Sequence, residues 1–319
     1  MSIRLRALAV GVATYIPGVE RLSGRKTGGT SSARYCYSVW LRHLSFLRRN
    51  CVPLGFETVV ELGPGDTLGV GLAALMSGAR QYIALDAVRY ADRAANLRVF
   101  DELSALFRDR AEIPNDREFP RMWPALSSYA FPADLLTRQW LSRTLDRQRL
   151  DAIRASIEDP SDCPDGGGMV CYVAPWVPGA VRSGTVDLIL SQSVLEYSLD
   201  LPALYAEMAR WLKPAGFMSH EIDFKSFGLT TEWNGHWGCP APLWQLAVGR
   251  RRHRLNREPC STHVAMAERV SCQVVHIERR VSASEILRTQ LLDGYRNLTD
   301  DDLTTSSALI QSVKIADIS

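Results

Sequence analysis

Glu61, Gly63, Gly65 and Asp86 are the residues whose types and spacing most directly suggest chemistry. The stretch VVELGPGDTLG, from Val59 to Gly69, is a short apolar run that ends on an acid and turns on glycine before a helix-like segment. A strand that ends this way leaves bare backbone at the carboxyl edge of a sheet, beside a helix N-terminus, where a ligand can approach closely. The spacing Gly63, Gly65, Gly69 departs from the G-x-G-x-x-G of dinucleotide enzymes. There the helix N-terminus holds a pyrophosphate, which a carboxylate at Glu61 would repel. Glu61 suits a cation better. Asp86 closes the next apolar run, QYIALDA, where an acid can accept hydrogen bonds from both ribose hydroxyls. A ligand with a ribose, an ammonium group and no phosphate fits both acids.

A second group lies in GFMSHEIDF. Strand alternation puts Met218, His220 and Ile222 on one side, and Ser219, Glu221 and Asp223 on the other. A histidine among these polar residues suggests the open end of a strand. With an ordinary pKa of about 6.5 it could remove a hydroxyl proton at neutral pH. The competing reading is a histidine hydrogen-bonded in the core. Asp223 or Glu221 would orient His220, or pair with arginines from the middle of the chain. The cluster TEWNGHW, with Trp233, Asn234, His236 and Trp237, reads either as core or as an acceptor contact, and makes His236 the next candidate base. Tyr35 and Tyr37 are lid or packing residues. RRRHR, Arg250 to Arg254, is a solvated helix end or a handle for an anionic substrate.

The elements that must position these residues alternate. Strands are expected over 57–62, 81–85, 169–174 and 185–191, with helices over 67–77 and LPALYAEMARWL. The strand GFMSHEIDF follows LKPAG, and CQVVHIERR and SALIQSVKI supply two more strands. This rhythm predicts a doubly wound α/β fold, a mostly parallel sheet with helices on both faces. About 80 residues separate Asp86 from the next strand, far more than a crossover needs. Residues 92–165 therefore read as a helical insertion over the acceptor, with DPSDCPDGGG as its flexible exit. Residues 1–54 read as an N-terminal helical cap on a domain spanning 55–319.

Hydrophobic content of 46%, charged content of 23% and a net charge of +2 suit a globular protein and give no reason to expect nucleic acid as a partner. Seven scattered cysteines without a C-x-x-C pair argue for reduced thiols in the cytoplasm, and against a disulfide framework or a metal site. Residues 1–17 are too short to span a bilayer. They read as a helix packed on its own domain, as a weak peripheral membrane contact, or as a cleaved signal.

Glu61-Leu62-Gly63-Pro64-Gly65 and Asp86 resemble the first two motifs of the class I S-adenosylmethionine-dependent methyltransferases. VDLILSQSVLEYSLDLPALYAEMARWLKPAGFMSHEID resembles their later motifs. The resemblance implies a Rossmann-like seven-stranded sheet whose last strand is antiparallel, and S-adenosyl-L-methionine as cofactor. It puts the backbone around Gly63, Pro64 and Gly65 under the cofactor's amino-acid portion and Glu61 near its ammonium. Asp86 falls on the ribose, and Ser191, Gln192 and Ser193 beside the methyl. Thr67 stands where many members carry a third glycine, with Gly69 two residues later. The reading is methyl transfer to a small or medium-sized acceptor, at a hydroxyl oxygen. Competing readings are a non-catalytic cofactor-binding assembly domain, or methylation of a lipid-linked or cell-surface glycan precursor at the membrane face.

Overall fold

The computed structural model describes residues 3–18, 29–50, 55–162, 168–251 and 253–315. Parts of the expected cap (1–2, 19–28 and 51–54), of the expected flexible exit (163–167) and of the basic run (252) lie outside the described residues.

The four parallel core strands are β1 (Thr58–Leu62), β2 (Gln81–Leu85), β3 (Val170–Val173) and β4 (Val186–Gln192). Their sequences are nearly continuous apolar runs, as strands covered on both faces must be. The chain continues through β5 (Leu212–Asp223), β6 (Cys272–Val281) and β7 (Thr305–Lys314). The seven strands lie in the order β3-β2-β1-β4-β5-β7-β6. β7 is antiparallel to both its neighbours, so it alone runs against the other six. The expected doubly wound sheet with an antiparallel last strand is what forms. Among the described residues no helix is long and apolar enough to cross a membrane.

One face of the sheet is covered by α2 (Ala33–Arg49), α3 (Gly69–Met76), α4 (Arg93–Arg108) and α6 (Arg147–Glu158), with α5 (Arg138–Thr144) outside them. The other face carries α7 (Leu201–Trp211) and α9 (Cys260–Arg269). The two remaining longer helices, α1 (Leu5–Ala13) and α8 (Ala241–Val248), pack against each other at one corner. Asp187 at the start of β4 closes the amino edge of the sheet. Its carboxylate accepts from Glu57 N at 3.0 Å and Thr58 N at 2.8 Å, and pairs with Lys213 at 2.8 Å.

The stretch 92–165 is less of an insertion than its length suggests. α4 and α6 contribute Val99, Phe100, Leu103, Phe107, Ile153 and Ile157 to the main core. The segment between α4 and α5 adds Ile113, Met122, Leu126 and Leu136 to the same core, and α2 fastens it. Tyr37 Oη donates to Ala111 O at 2.8 Å, and Ser38 Oγ to Pro114 O at 3.0 Å. Arg42, 1% exposed, donates to Pro114 O, Pro124 O and the Asp116 carboxylate. Arg34 holds both oxygens of Glu118 at 2.6 Å. Because that pair is open to water it contributes at most about 1 kcal/mol, whereas losing Arg42 strands buried carbonyls.

Arg42→Met is therefore expected to destabilise the fold by about 1–3 kcal/mol for each carbonyl left unpaired. Arg34→Ala should cost less than about 1 kcal/mol. Urea unfolding of the two variants would show the difference, and equal costs would mean that Arg42 is not the anchor.

Candidate active site

β1 and β4 are adjacent, and the chain leaves them in opposite directions, towards β2 and β3 on one side and β5 on the other. Their helices cover opposite faces, so a cleft opens at the carboxyl ends of these two strands. A cavity of about 820 Å³ lies there, inside the roughly 300–1,000 Å³ span of small-molecule sites. Glu61, Gly63, Gly65 and Asp86 line one part. Gln192, Ser193, Glu221 and Asp223 line another, and Glu118 to Met122, Tyr35 and His253 close over it.

The Glu61 part is built to meet a cation. The carboxylate is buried, and Tyr82 Oη donates to its Oε2 at 2.5 Å. Tyr82 reaches it by passing under α3, where a Cβ on Gly71 would stand 2.0 Å from the tyrosine ring. Burial pushes Glu61 up to about 8, against the opposing pull of Tyr82 and the Gly71 amide. Such a group gains most when a positive charge arrives beside it. Gly63 and Gly65 have φ of +65° and +77°, the left-handed region that glycine occupies without strain. Pro64 between them is buried but does not line the cavity. Asp86 Oδ1 accepts from Ala87 N at 2.7 Å and Val88 N at 3.4 Å, and the Gly65 amide also faces the carboxylate, which lines the cavity. Thr67 and Gly69 serve the neighbouring helix. Thr67 Oγ1 donates to Thr30 O, and a Cβ on Gly69 would lie 2.5 Å from Cys36 Sγ.

The other part is organised by a buried polar chain whose direction is fixed. Asn50 Nδ2 donates to Gln311 Oε1 at 2.8 Å, and Gln311 Nε2 to Ser219 Oγ at 3.0 Å. Ser219 Oγ lies 2.7 Å from His43 Nδ1, and His43 Nε2 lies 3.3 Å from Gln192 Oε1. An amide oxygen only accepts, so His43 carries its proton on Nε2. Nδ1 must then accept from Ser219. Burial holds His43 down at about 4, which keeps it in this neutral form. Gln192 Nε2 then donates to Glu221 Oε2 at 3.0 Å, and Ser193 Oγ to the same oxygen at 2.7 Å. Ser193 adopts φ +53°, an uncommon conformation for a side-chain-bearing residue, and its amide is tied to Glu221 O at 2.9 Å. Two donors thus converge on one oxygen of Glu221 and leave the other free. Burial, then repulsion from Asp223, pushes Glu221 up to about 8 despite these bonds.

Several expected site residues lie elsewhere. His220 is 2% exposed and does not line the cavity. The alternation was read correctly, but His220 is on the side that packs against Tyr205, with Nδ1 2.8 Å from Ser191 Oγ. Burial holds it at about 3, so it cannot titrate near neutrality. Ser191 is fully buried with it. His236 packs against Trp237 and Trp244 with ring centroids 4.5 and 5.9 Å apart, is likewise held at about 3 by burial, and is outside the cavity. None of Trp233, Asn234 or Trp237 lines the cavity either. Of the two candidate lid tyrosines, Tyr35 lines it and Tyr37 is core. Asp223 does line it, paired to Lys225 at 2.7 Å. His253 was not anticipated. It came with the basic run, where its five-residue context pointed to solvent, yet it lines the cavity 3.2 Å from Tyr90 Oη.

The strand order, with one antiparallel strand among seven, is that of the Rossmann-like methyltransferase fold. A family model described as a methyltransferase domain matches residues 169–219, from the start of β3 into β5. The chain is an S-adenosylmethionine-dependent methyltransferase, with S-adenosyl-L-methionine as its cofactor. No curated protein matches its sequence. Among solved structures, a candidate sarcosine dimethylglycine methyltransferase from Galdieria sulphuraria aligns over 87% of this chain and 85% of its own, with 12% identity and a TM-score of 0.44. An S-adenosylmethionine-dependent methyltransferase candidate from Listeria monocytogenes aligns over 86% and 98%, with 14% identity and a TM-score of 0.40. Phosphoethanolamine N-methyltransferase 2 from Haemonchus contortus, solved with S-adenosyl-L-methionine, aligns over 87% of this chain and 53% of its own, with 12% identity and a TM-score of 0.43.

The raised carboxyl of Glu221 has a measurable cost. Its pKa rises from 4.5 unfolded to about 8 folded. Between those values the folded state keeps a proton that the unfolded state releases, so stability falls as pH rises through that window. Glu221→Gln removes the loss. Its melting temperature relative to the parent protein should climb from about pH 5 to about pH 8. An offset that stays flat across that range would show that Glu221 ionises normally.

Proposed function

We propose that the protein transfers the methyl group of S-adenosyl-L-methionine to a hydroxyl oxygen of a small or medium-sized acceptor, sugar-type acceptors included, with Glu221 taking the proton. The observation that carries this reading is the fixed polar chain, which saturates one oxygen of Glu221 and presents the other to the cavity. A base with a pKa of about 8 is well matched to a hydroxyl at neutral to mildly alkaline pH. Bound S-adenosyl-L-methionine supplies an electrophilic methyl on a sulfonium. This chain's residues hold and align it. Glu61 takes the ammonium, the backbone at Gly63 and Gly65 lies under the amino-acid portion, and Asp86 takes the ribose. Gln192 and Ser193 stand between that half and Glu221, so holding Glu221 also sets the distance between the two reactants. Tyr35, Phe119 and Met122 exclude water from above. The five described cysteines are free and buried, which supports a reducing compartment such as the cytoplasm.

The carboxylates of Glu118, Glu221 and Asp223 on the wall favour a second reading, an amine acceptor held first as its ammonium ion. Incubating extracts with the protein and isotopically labelled S-adenosyl-L-methionine, then locating labelled products by mass spectrometry, decides between oxygen and nitrogen. Loss of label to no product at all, with cofactor bound, would favour the assembly-domain reading.

Three variants test the assignments. Asp86→Ala should weaken cofactor binding by about 1.5–3 kcal/mol in calorimetry, and unchanged affinity would remove it from the site. Glu221→Gln should bind cofactor normally and lose about 10²–10⁴-fold in rate. The parent rate should rise with pH towards a plateau above about 8, because the base acts only when ionised. His220→Gln should keep that pH profile, and a profile that moved with His220 would return the base role to it.

A further inference from the structure

α1 takes no part in the site, yet it is built onto the molecule firmly. Gly11 lets it approach α8 so closely that a Cβ there would stand 2.1 Å from Leu246 O. Thr14 Oγ1 donates to Gly11 O and accepts from Arg250 N at 2.7 Å. At its other end Arg4 N donates to Leu229 O at 3.0 Å, and Ile3 bridges Thr230. A helix fixed by one face normally turns charged and polar residues outward. This one does not. Leu5, Ala9 and Val12 share the outward face at helical spacing, and Ile16 is exposed in the turn just beyond it. Leu5, Val12 and Ile16 are 83%, 47% and 60% exposed, and Leu246 of α8 adds a further exposed apolar side chain.

The rim of this patch is basic. Arg4 and Arg6 lie at one end, and Arg250, whose guanidinium sits 5.0 Å from the Tyr15 ring, at the other. Neither residues 3–18 nor residues 241–257 contain an Asp or Glu. Among the described residues none of these three arginines forms an ion pair.

We propose that the α1–α8 corner docks onto an anionic lipid surface, with the outward apolar side chains entering the interface and the arginines meeting lipid phosphates. An apolar face bordered by arginine is the pattern of an interfacial helix. A second copy of the chain fits less well. A two-fold contact would set this largely basic rim against itself, like charge against like. The segments that hold α1 also run to the cavity. Phe227 lies two residues before Leu229, and His253 three residues after Arg250, within about 11 Å of chain in each case. Both line the cavity. Docking therefore holds the cavity close to the lipid surface and favours an acceptor carried there. That consequence for the acceptor rests on the methyl-transfer reading, whereas the docking does not.

The test is sedimentation of the full chain with vesicles of phosphatidylcholine alone or of phosphatidylcholine mixed with phosphatidylglycerol. The protein should sediment with the mixed vesicles, much less with neutral ones, and less again as salt is raised. Val12→Glu should reduce binding by about tenfold or more, and Arg250→Glu by roughly fivefold or more. Both variants should keep the parent melting temperature and S-adenosylhomocysteine affinity. No sedimentation with mixed vesicles at low salt would overturn the proposal, as would binding that Val12→Glu leaves intact. Light scattering that shows a dimer dissolved by Val12→Glu would overturn it in favour of a protein interface. Loss of cofactor binding in the parent protein would instead sink the methyl-transfer reading and leave the docking result standing.

Discussion

Gln192 Oε1 can accept a hydrogen bond and cannot donate one, and much of the site follows from that. His43 must place its proton on Nε2, Ser219 must donate to Nδ1, and Gln311 must donate to Ser219. Each member has a single arrangement that satisfies its neighbours, so the chain cannot reverse without leaving a buried donor facing a donor. The strands β4, β5 and β7 and the helix α2 each contribute to it. It is therefore a site device and a fold device together. It locks α2 against the sheet while delivering two donors to Glu221.

α2 has a wider role than an N-terminal helix covering a finished domain. Twelve of its seventeen residues are buried. Beyond His43, it carries Arg42, Tyr37 and Ser38, which gather the 111–124 segment and so place Glu118 to Met122 over the cavity. The 118–122 side of the cavity and the hydrogen bonds to Glu221 are thus set by neighbouring residues of one helix. A change in the tilt of α2 would move both together.

Two buried carboxylates at the cavity, Glu61 and Glu221, are both pushed up to about 8. A fold selected for stability alone would have amides or apolar groups there. Keeping carboxylates buried there costs local stability, which the close packing of the two layers beneath offsets.

The apolar runs of the parallel strands, the glycine turn after Glu61 and the acid at Asp86 could be read directly from the sequence. Each depends on local backbone geometry or on alternation within one strand. The same alternation placed Glu221 and Asp223 together and His220 opposite them. What it could not supply was which side faced the cavity, because that depends on the helices packed against each face. His220 and His236 looked like bases because their residue type is right for the task, and only tertiary burial shows that both are held neutral away from the cavity. His43 lay unnoticed in an amphipathic helix, since its partners Ser219 and Gln192 are more than a hundred residues away. Long-range pairing of this kind leaves no local pattern. Sequence alone determined the sheet and the enzyme's reaction, and it brought Glu61, Gly63, Gly65 and Asp86 to one edge of that sheet. The three-dimensional packing decided which strand face meets the cavity and what holds Glu221 there, because burial and hydrogen-bond direction are properties of elements brought together rather than of any one of them.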